Sequence, residues 1–221
     1  MKIGIYGGTF NPVHYGHLRT AEEVAEKFGL DKTLFIPAGE TPFNKPDLEK
    51  ADHRYKMVKN AIEGNPCFQI SALEIKAKGK SYSVDTIKKL RNRYRKSELY
   101  FILGIDAFID LPGWKQPNMI VDLANLIIIS RPGYSFAGLR SSPYLKGVSE
   151  KKLREMDSGN VDMFAFDISE NRKGILCNVT AMNISASNIR NLIKSGENIN
   201  YLLPDSVKSY IISHNLYIDT N

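Results

Sequence analysis

Lys2-Ile3-Gly4-Ile5-Tyr6-Gly7-Gly8-Thr9-Phe10-Asn11-Pro12-Val13-His14-Tyr15-Gly16-His17 is the stretch on which the fold turns. Residues 2–6 read as a short apolar strand, and the glycine pair that follows reads as a tight turn into a helix. That helix is expected over residues 15–28. It places Leu18, Ala21, Val24, Ala25 and Phe28 on one face, with Gly29 as its stop. Further strands are expected at 33–36 (ended by Pro37), 68–70, 99–103, 126–129, 163–166 and 175–179. Helices are expected at 52–63, 84–94, 186–195 and 204–214. Leu126-Ile127-Ile128-Ile129 is a continuous apolar run, the kind a parallel strand covered on both faces needs. Strands alternating with helices imply an α/β fold with a doubly wound, mostly parallel sheet. Residues 38–50 read as an irregular loop. Residues 133–160 read as surface loop with one short helix.

Bulk properties narrow the class. With 221 residues the chain can bury a sizeable core, and 43% hydrophobic with 24% charged residues excludes disordered and fibrous classes. No apolar run approaches the roughly 18 residues that span a bilayer, so no membrane partner is expected. The N-terminal residues carry no apolar signal core, so export is not expected. Cys67 and Cys177 are the two cysteines and lack CxxC spacing, which suits inert thiols in a reducing cytoplasm. The net charge of +6 fits either a nucleic-acid surface or a site for polyanionic small molecules. Its densest run is Lys88, Lys89, Arg91, Arg93, Arg95 and Lys96. At helical spacing these mostly fall on a solvated face without an aromatic stacking pattern, so no nucleic-acid partner is expected.

In open parallel sheets, ligands bind beyond the carboxyl ends of the strands, and the first βα turn is the usual phosphate site. Gly7 and Gly8 let backbone N–H groups approach an anion. The turn is neither GxGxxG nor GxxxxGK[ST]; instead it delivers His14 and His17 to the start of a helix. Two imidazoles there can donate to phosphate oxygens, supplemented by the helix dipole. A protein-held zinc is not expected, since only His53 and His214 remain and neither cysteine has ligand spacing. A capping role would account for one histidine. It would not account for two of the chain's four histidines clustered after a strand-Gly-Gly turn.

The stretch GGTFNPVHYGH at 7–17 resembles the GGTFxPxHxGH signature of the HxGH nucleotidyltransferase superfamily, which implies a Rossmann-like sheet. Alone, it does not choose among pantetheine-phosphate, nicotinate-nucleotide and cytidylyl-transferring members. Longer segments resemble bacterial nicotinate-nucleotide adenylyltransferase: Ser81-Tyr82-Ser83-Val84-Asp85-Thr86, Leu103-Gly104-Ile105-Asp106-Ala107-Phe108 with Leu111 and Trp114, Arg131-Pro132-Gly133, Ile184-Ser185-Ala186-Ser187-Asn188-Ile189-Arg190, and Tyr201-Leu202-Leu203-Pro204 with Tyr210-Ile211. The likeness runs from residue 3 to residue 217. It implies a Rossmann-like core over 1–180 and a small helical C-terminal subdomain over 181–221 that completes the ATP site. A homo-oligomer is compatible with this layout.

The same resemblance assigns the site. ATP would meet Gly7, Gly8, Thr9, Phe10, His14, His17, Ile184, Ser185, Ser187 and Arg190. Nicotinate mononucleotide would meet Lys45, Arg54, Tyr82, Thr86, Gly104, Asp106, Trp114 and Arg131. Within this set, the Thr86 backbone N–H would serve the nicotinate carboxylate and Arg54 the mononucleotide phosphate; read by itself, Arg54 fits a surface arginine equally well. Trp114, the only tryptophan, reads either as a loop aromatic for a pyridine ring or as a core anchor. Asp106 would bind ribose hydroxyls or cap the next helix. Ser185 and Ser187 suit N-capping as well as phosphate binding. Asn44 stands where the family commonly has histidine, while Lys45 keeps its position; Ala186-Ser187 stands for Ser-Thr. The implied chemistry is in-line attack on the ATP α-phosphorus, with His14, His17, Lys45 and Arg190 as the catalytic residues and Mg²⁺ accompanying ATP. Competing readings are pantetheine-phosphate adenylyltransferase, which typically has Thr at position 14, and a cytidylyltransferase, which lacks the tail seen here. The non-enzyme alternative is a nucleotide- or RNA-binding module drawing on 88–96.

Overall fold

Side-chain alternation decides the architecture. In β1 (Lys2–Gly8), Ile3 and Ile5 enter one hydrophobic cluster while Tyr6 enters another. The same split recurs in β2 (Lys32–Pro37), where Leu34 and Ile36 oppose Phe35. It recurs again in β4 (Glu98–Gly104) and β5 (Asn125–Ile129), so both faces of the sheet are covered. The structure, a computed structural model, describes residues 1–42 and 47–218. With β3 (Phe68–Ile70), β6 (Met163–Ser169) and β7 (Arg172–Cys177) the strands form a seven-stranded sheet in the order β3-β2-β1-β4-β5-β7-β6. All neighbours pair in parallel except the β6–β7 edge hairpin. This is the expected doubly wound, Rossmann-like α/β fold.

Helices α1 (Tyr15–Phe28), α2 (Ala51–Ala61), α7 (Ala186–Lys194) and α8 (Asp205–Ser213) cover the Tyr6 face. The other face is covered by α3 (Ser83–Arg93), α4 (Ile105–Asp110), α5 (Pro117–Leu123) and α6 (Glu150–Asp157). Helix α1 begins and ends where its sequence pattern places it. Gly29 adopts φ 57° and its N–H reaches the carbonyls of Ala25 and Glu26, closing the helix as only a residue without Cβ does cheaply.

The segment 133–160 departs from the surface-loop expectation. It holds a 3₁₀ turn at Phe136–Ser141 as well as α6, and Phe136, Leu139, Leu145, Leu153 and Met156 are buried in the core. Its apolar residues are too widely spaced for a periodic signal, yet together they cover the β4–β5 side of the sheet. Arg91 also leaves the solvated-face reading. Its guanidinium donates to the carbonyls of Leu123 and Ser97, tying α3 to the end of α5.

The strand order reverses between β1 and β4. Connections from β1 lead outward to β2 and β3, and the chain then crosses back through α3 to β4. Tyr6 pairs with Ile102 across that boundary, so the glycine ends of both strands open into the same crevice.

Candidate active site

The crevice is built first from the turn after β1. Phe10 sits there at φ 49° although it is not glycine, with its ring 2% exposed. A Cβ on Gly8 would stand 2.9 Å from that ring, so Gly8 lets Phe10 fold underneath the turn. The Asn11–Pro12 peptide is cis. Asn11, 6% exposed, serves as a hub. Its side-chain amide donates to the Asp47 carbonyl at 2.7 Å, and its side-chain oxygen accepts from Glu49 N–H (3.1 Å) and Tyr217 O–H (2.9 Å).

His14 caps α1 with extended backbone, and its N–H donates to His17 Nδ1 at 3.3 Å. His17 Nδ1 is therefore an acceptor, and its proton sits on Nε2. The two rings lie 3.8 Å apart, and His17 meets the Phe10 ring edge-on at 5.1 Å. Burial, seconded by the Arg131 charge, pushes His14 down to about 4 from its ordinary 6.5. Burial, then His14, then Arg131 hold His17 well below the usual imidazole range. Both are neutral at pH 7. His14 Nδ1 is buried without a hydrogen-bond partner. Gly16 leaves room for it, since a Cβ there would stand 3.0 Å from the His14 ring.

Helix α7 arrives from the far end of the chain. Ser185 caps it by accepting from Asn188 N–H at 3.1 Å. Arg190, one turn in, donates to the Asn11 carbonyl at 2.9 Å and lies 3.4 Å from Ser187 Oγ, while its Nε is buried without a partner. Ile184 passes Gly16, its carbonyl 3.7 Å from where a Cβ would be. The structure thus brings His14, His17, Ile184, Ser185, Ser187 and Arg190 together around the β1 turn formed by Gly7, Gly8, Thr9 and Phe10.

The opposite wall comes from β4 and β5. Asp106, in the first turn of α4, pairs with Arg131 at 2.9 Å, and its other oxygen is buried without a partner. A Cβ on Gly104 would stand 2.4 Å from that orphan oxygen, so glycine makes the space the carboxylate occupies. Trp114 lies half-buried with its ring edge-on to Phe101 at 6.4 Å, so it is anchored on the core while remaining in a loop. Tyr82 stands at the N-cap of α3, held by a strap that runs along the exit of β2. Ser81 N–H donates to Glu40 O at 2.8 Å, and Gly39 lies so close to Glu74 that a Cβ would come within 2.3 Å of its carbonyl oxygen.

Two assignments need correction. The Thr86 N–H is engaged inside α3 with the Tyr82 carbonyl at 3.2 Å, one residue too deep for a free amide. Its hydroxyl donates to Glu74 Oε1 at 2.6 Å, where burial raises the carboxyl. Arg54 is neither a phosphate ligand nor a surface arginine, because it is 1% exposed and donates to carbonyls of Thr9 (2.7 Å), Ala38 (2.6 Å), Gly39 (3.0 Å) and Glu49 (3.0 Å). It ties the β1 turn, the end of β2 and the start of α2 together. Lys45 and Asn44 lie outside the described residues. The reading from sequence passed over Asn11, Tyr6, Tyr217 and Lys115. Asn11 stood in the motif itself, Tyr6 directly precedes it and Lys115 follows Trp114; Tyr217 carries no local signal, since only the fold brings it to Asn11.

The family model described as Cytidylyltransferase-like matches residues 5–192. A probable nicotinate-nucleotide adenylyltransferase of Geotalea uraniireducens is 38% identical over 99% of this chain and 99% of its own length. One from Desulfitobacterium hafniense is 40% identical over 98% of this chain and 95% of its own length. The chain belongs to the nicotinate-nucleotide adenylyltransferase family. Solved structures agree on the fold of this family member. Plasmodium falciparum nicotinic acid mononucleotide adenylyltransferase complexed with NaAD superposes with TM-score 0.70 at 21% identity, covering 98% of this chain and 97% of that one. The same protein complexed with APC gives 0.70 at 19% identity, covering 98% and 96%.

Proposed function

We propose that this adenylyltransferase joins ATP and nicotinate mononucleotide to give deamido-NAD and pyrophosphate. The observation that carries this reading is the pair of buried, neutral imidazoles at the start of α1, with Arg190 docked beside them and Asp106–Arg131 facing them. Triphosphate would lie over the β1 turn and the start of α1, where N–H groups and the helix dipole favour anions. The Nε2–H of His17 and the free donors of Arg190 would meet its oxygens. The C-terminal segment 181–221 completes that half of the site. The unpartnered oxygen of Asp106 would accept from a ribose hydroxyl, with Arg131 toward the mononucleotide. Tyr82 and Trp114 would flank the pyridine ring, and Lys45 is assigned to the phosphates by the resemblance alone.

The mononucleotide phosphate oxygen attacks the α-phosphorus, a P–O bond forms, and the bond to the β-phosphate oxygen breaks as pyrophosphate leaves. A phosphate monoester has its second pKa at about 6, so the nucleophile is ionised at neutral pH and no general base is needed. Catalysis is then positioning plus stabilisation of charge spread over the phosphoryl oxygens. Neutral imidazoles suit this role as fixed donors. Among the described residues no group of three or more His, Cys, Asp or Glu could hold a metal. Mg²⁺ would arrive on the ATP phosphates, which suits an ion that keeps most of its waters. When bound it would supply neutralisation of charge on the pyrophosphate. Both cysteines are free thiols, which supports a cytoplasmic location, and no described helix is long and apolar enough to cross a membrane.

The test is pyrophosphate release with ATP, Mg²⁺ and, in turn, nicotinate, nicotinamide and pantetheine phosphates. Release with nicotinate mononucleotide is expected. Release only with phosphopantetheine, or with none of the three, would overturn the reading.

A further inference from the structure

The turn that follows Trp114 carries a cation over the other aromatic of the crevice. Lys115 Nζ lies 4.4 Å from the centroid of the Tyr82 ring and 2.9 Å from Asp85 Oδ2. Gln116, next in the chain, adopts φ 51° and accepts from Lys88 Nζ at 3.0 Å, so the whole Trp114–Lys115–Gln116 turn is stitched to α3. Tyr82, Trp114 and Lys115 therefore share one end of the crevice, two flat rings and an ammonium.

We infer that Lys115 is the residue that selects a carboxylate over a carboxamide on the pyridine ring. The inference rests on the function proposed above. Nicotinate and nicotinamide differ at that end by one negative charge and hardly in shape. Neutral backbone donors of the first turn of α3 would serve a carboxamide oxygen and a carboxylate oxygen alike, so only a nearby charge separates them strongly. Among the described residues Lys115 is the cation seated on an aromatic of this wall; Arg131 is turned to Asp106. The present partner of Lys115 is easily exchanged. Lys115 and Asp85 are 43% and 42% exposed at their side chains, and such ion pairs contribute little. A substrate carboxylate entering beside Tyr82 would find the ammonium within a side-chain rotation, in a place less wet once the ring is bound. Asp85 then acts in the opposite sense: it repels the carboxylate and competes for the lysine.

The experiment compares kcat/KM for nicotinate and nicotinamide mononucleotides in the wild type, Lys115→Met, Lys115→Arg and Asp85→Asn. Lys115→Met is expected to lower the nicotinate-to-nicotinamide ratio about tenfold or more, through KM for the nicotinate substrate. Lys115→Arg should restore most of it, and Asp85→Asn should raise it. The wild-type ratio should also fall as salt rises from low to physiological concentration, while the Lys115→Met ratio should not. A wild type that prefers nicotinate mononucleotide, with Lys115→Met holding the ratio within twofold, overturns this inference and leaves the proposed function intact. No turnover of either mononucleotide by the wild type overturns both.

Discussion

Replacing Arg54 should cost stability and loosen the triphosphate side of the site together. Its guanidinium makes four hydrogen bonds, all to backbone carbonyls and all at 3.0 Å or less, in a side chain only 1% exposed. Bonds from a charged donor net about 1.5–3 kcal/mol each, but four from one side chain are not independent. Breaking a buried hydrogen-bond network as a unit is among the large single-substitution effects, so Arg54→Met is placed at about 4 kcal/mol. For a domain of this size that lowers Tm by about 8–16 °C. Arg54→Lys keeps the charge but replaces a planar fork with a point donor, and it should recover about half of the loss. Because one bond goes to the Thr9 carbonyl, KM for ATP should rise in both variants at a temperature where each is fully folded. Urea unfolding with a check that m is constant gives the first quantity, and pyrophosphate release gives the second. Arg54→Met within about 1 kcal/mol of wild type, with KM for ATP unmoved, would mean that these carbonyls find other partners and that the argument from donor count is wrong.

Removing the preorganised donor by His17→Ala should lower kcat about a hundredfold or more, measured by pyrophosphate release under saturating ATP, with near-normal turnover counting against its role. Acid should destabilise the fold through the imidazoles. The folded His14 titrates at about 4 and the unfolded one at 6.5, so the unfolded chain binds more protons between those values and stability falls as pH drops through that window. From pH 7 to pH 5 His14 alone should cost about 2 kcal/mol, read by urea unfolding, and His14→Gln should flatten that slope. Gly104→Ala would put a Cβ 2.4 Å from Asp106 Oδ1 and force the carboxylate away from Arg131. KM for nicotinate mononucleotide should rise about ten- to a hundredfold, whereas an unchanged KM would remove Asp106 from that site.

What could be read from the sequence was what repeats at short range. The strand-Gly-Gly turn, the 15–28 helix with its Gly29 stop and the 126–129 run all state their structure within a few residues, because periodicity and glycine conformation are local properties. The doubly wound fold follows from their alternation. Helices α4 and α5 give too short a pattern to read, at six and seven residues. The core role of 133–160 depends on scattered apolar residues meeting a sheet they do not adjoin in sequence. At the candidate site, the residues of 7–17 and 184–190 were legible as two groups because each is clustered in the sequence, and the structure brings the two groups together. The pyridine side was harder. The sequence pattern starts this helix at Val84, which would leave the Thr86 amide in the unpaired first turn; helix α3 starts one residue earlier, at Ser83, and that shift turns an apparent free amide into a bonded one. Arg54 could not be read at all. Nothing local distinguishes an arginine that faces a phosphate from one that holds four carbonyls.

Asn11 receives two separate parts of the C-terminal segment at once. Arg190 binds its carbonyl across 179 residues, and Tyr217 binds its side chain across 206. Contacts of such separation carry the largest loop-closure cost. The turn at residues 7–17 is thus completed only by residues far downstream of it. A chain that holds β1 and both histidines does not have both of these contacts to Asn11 until Tyr217 is present, and a nick or deletion near that residue is expected to loosen a turn whose motif it leaves untouched.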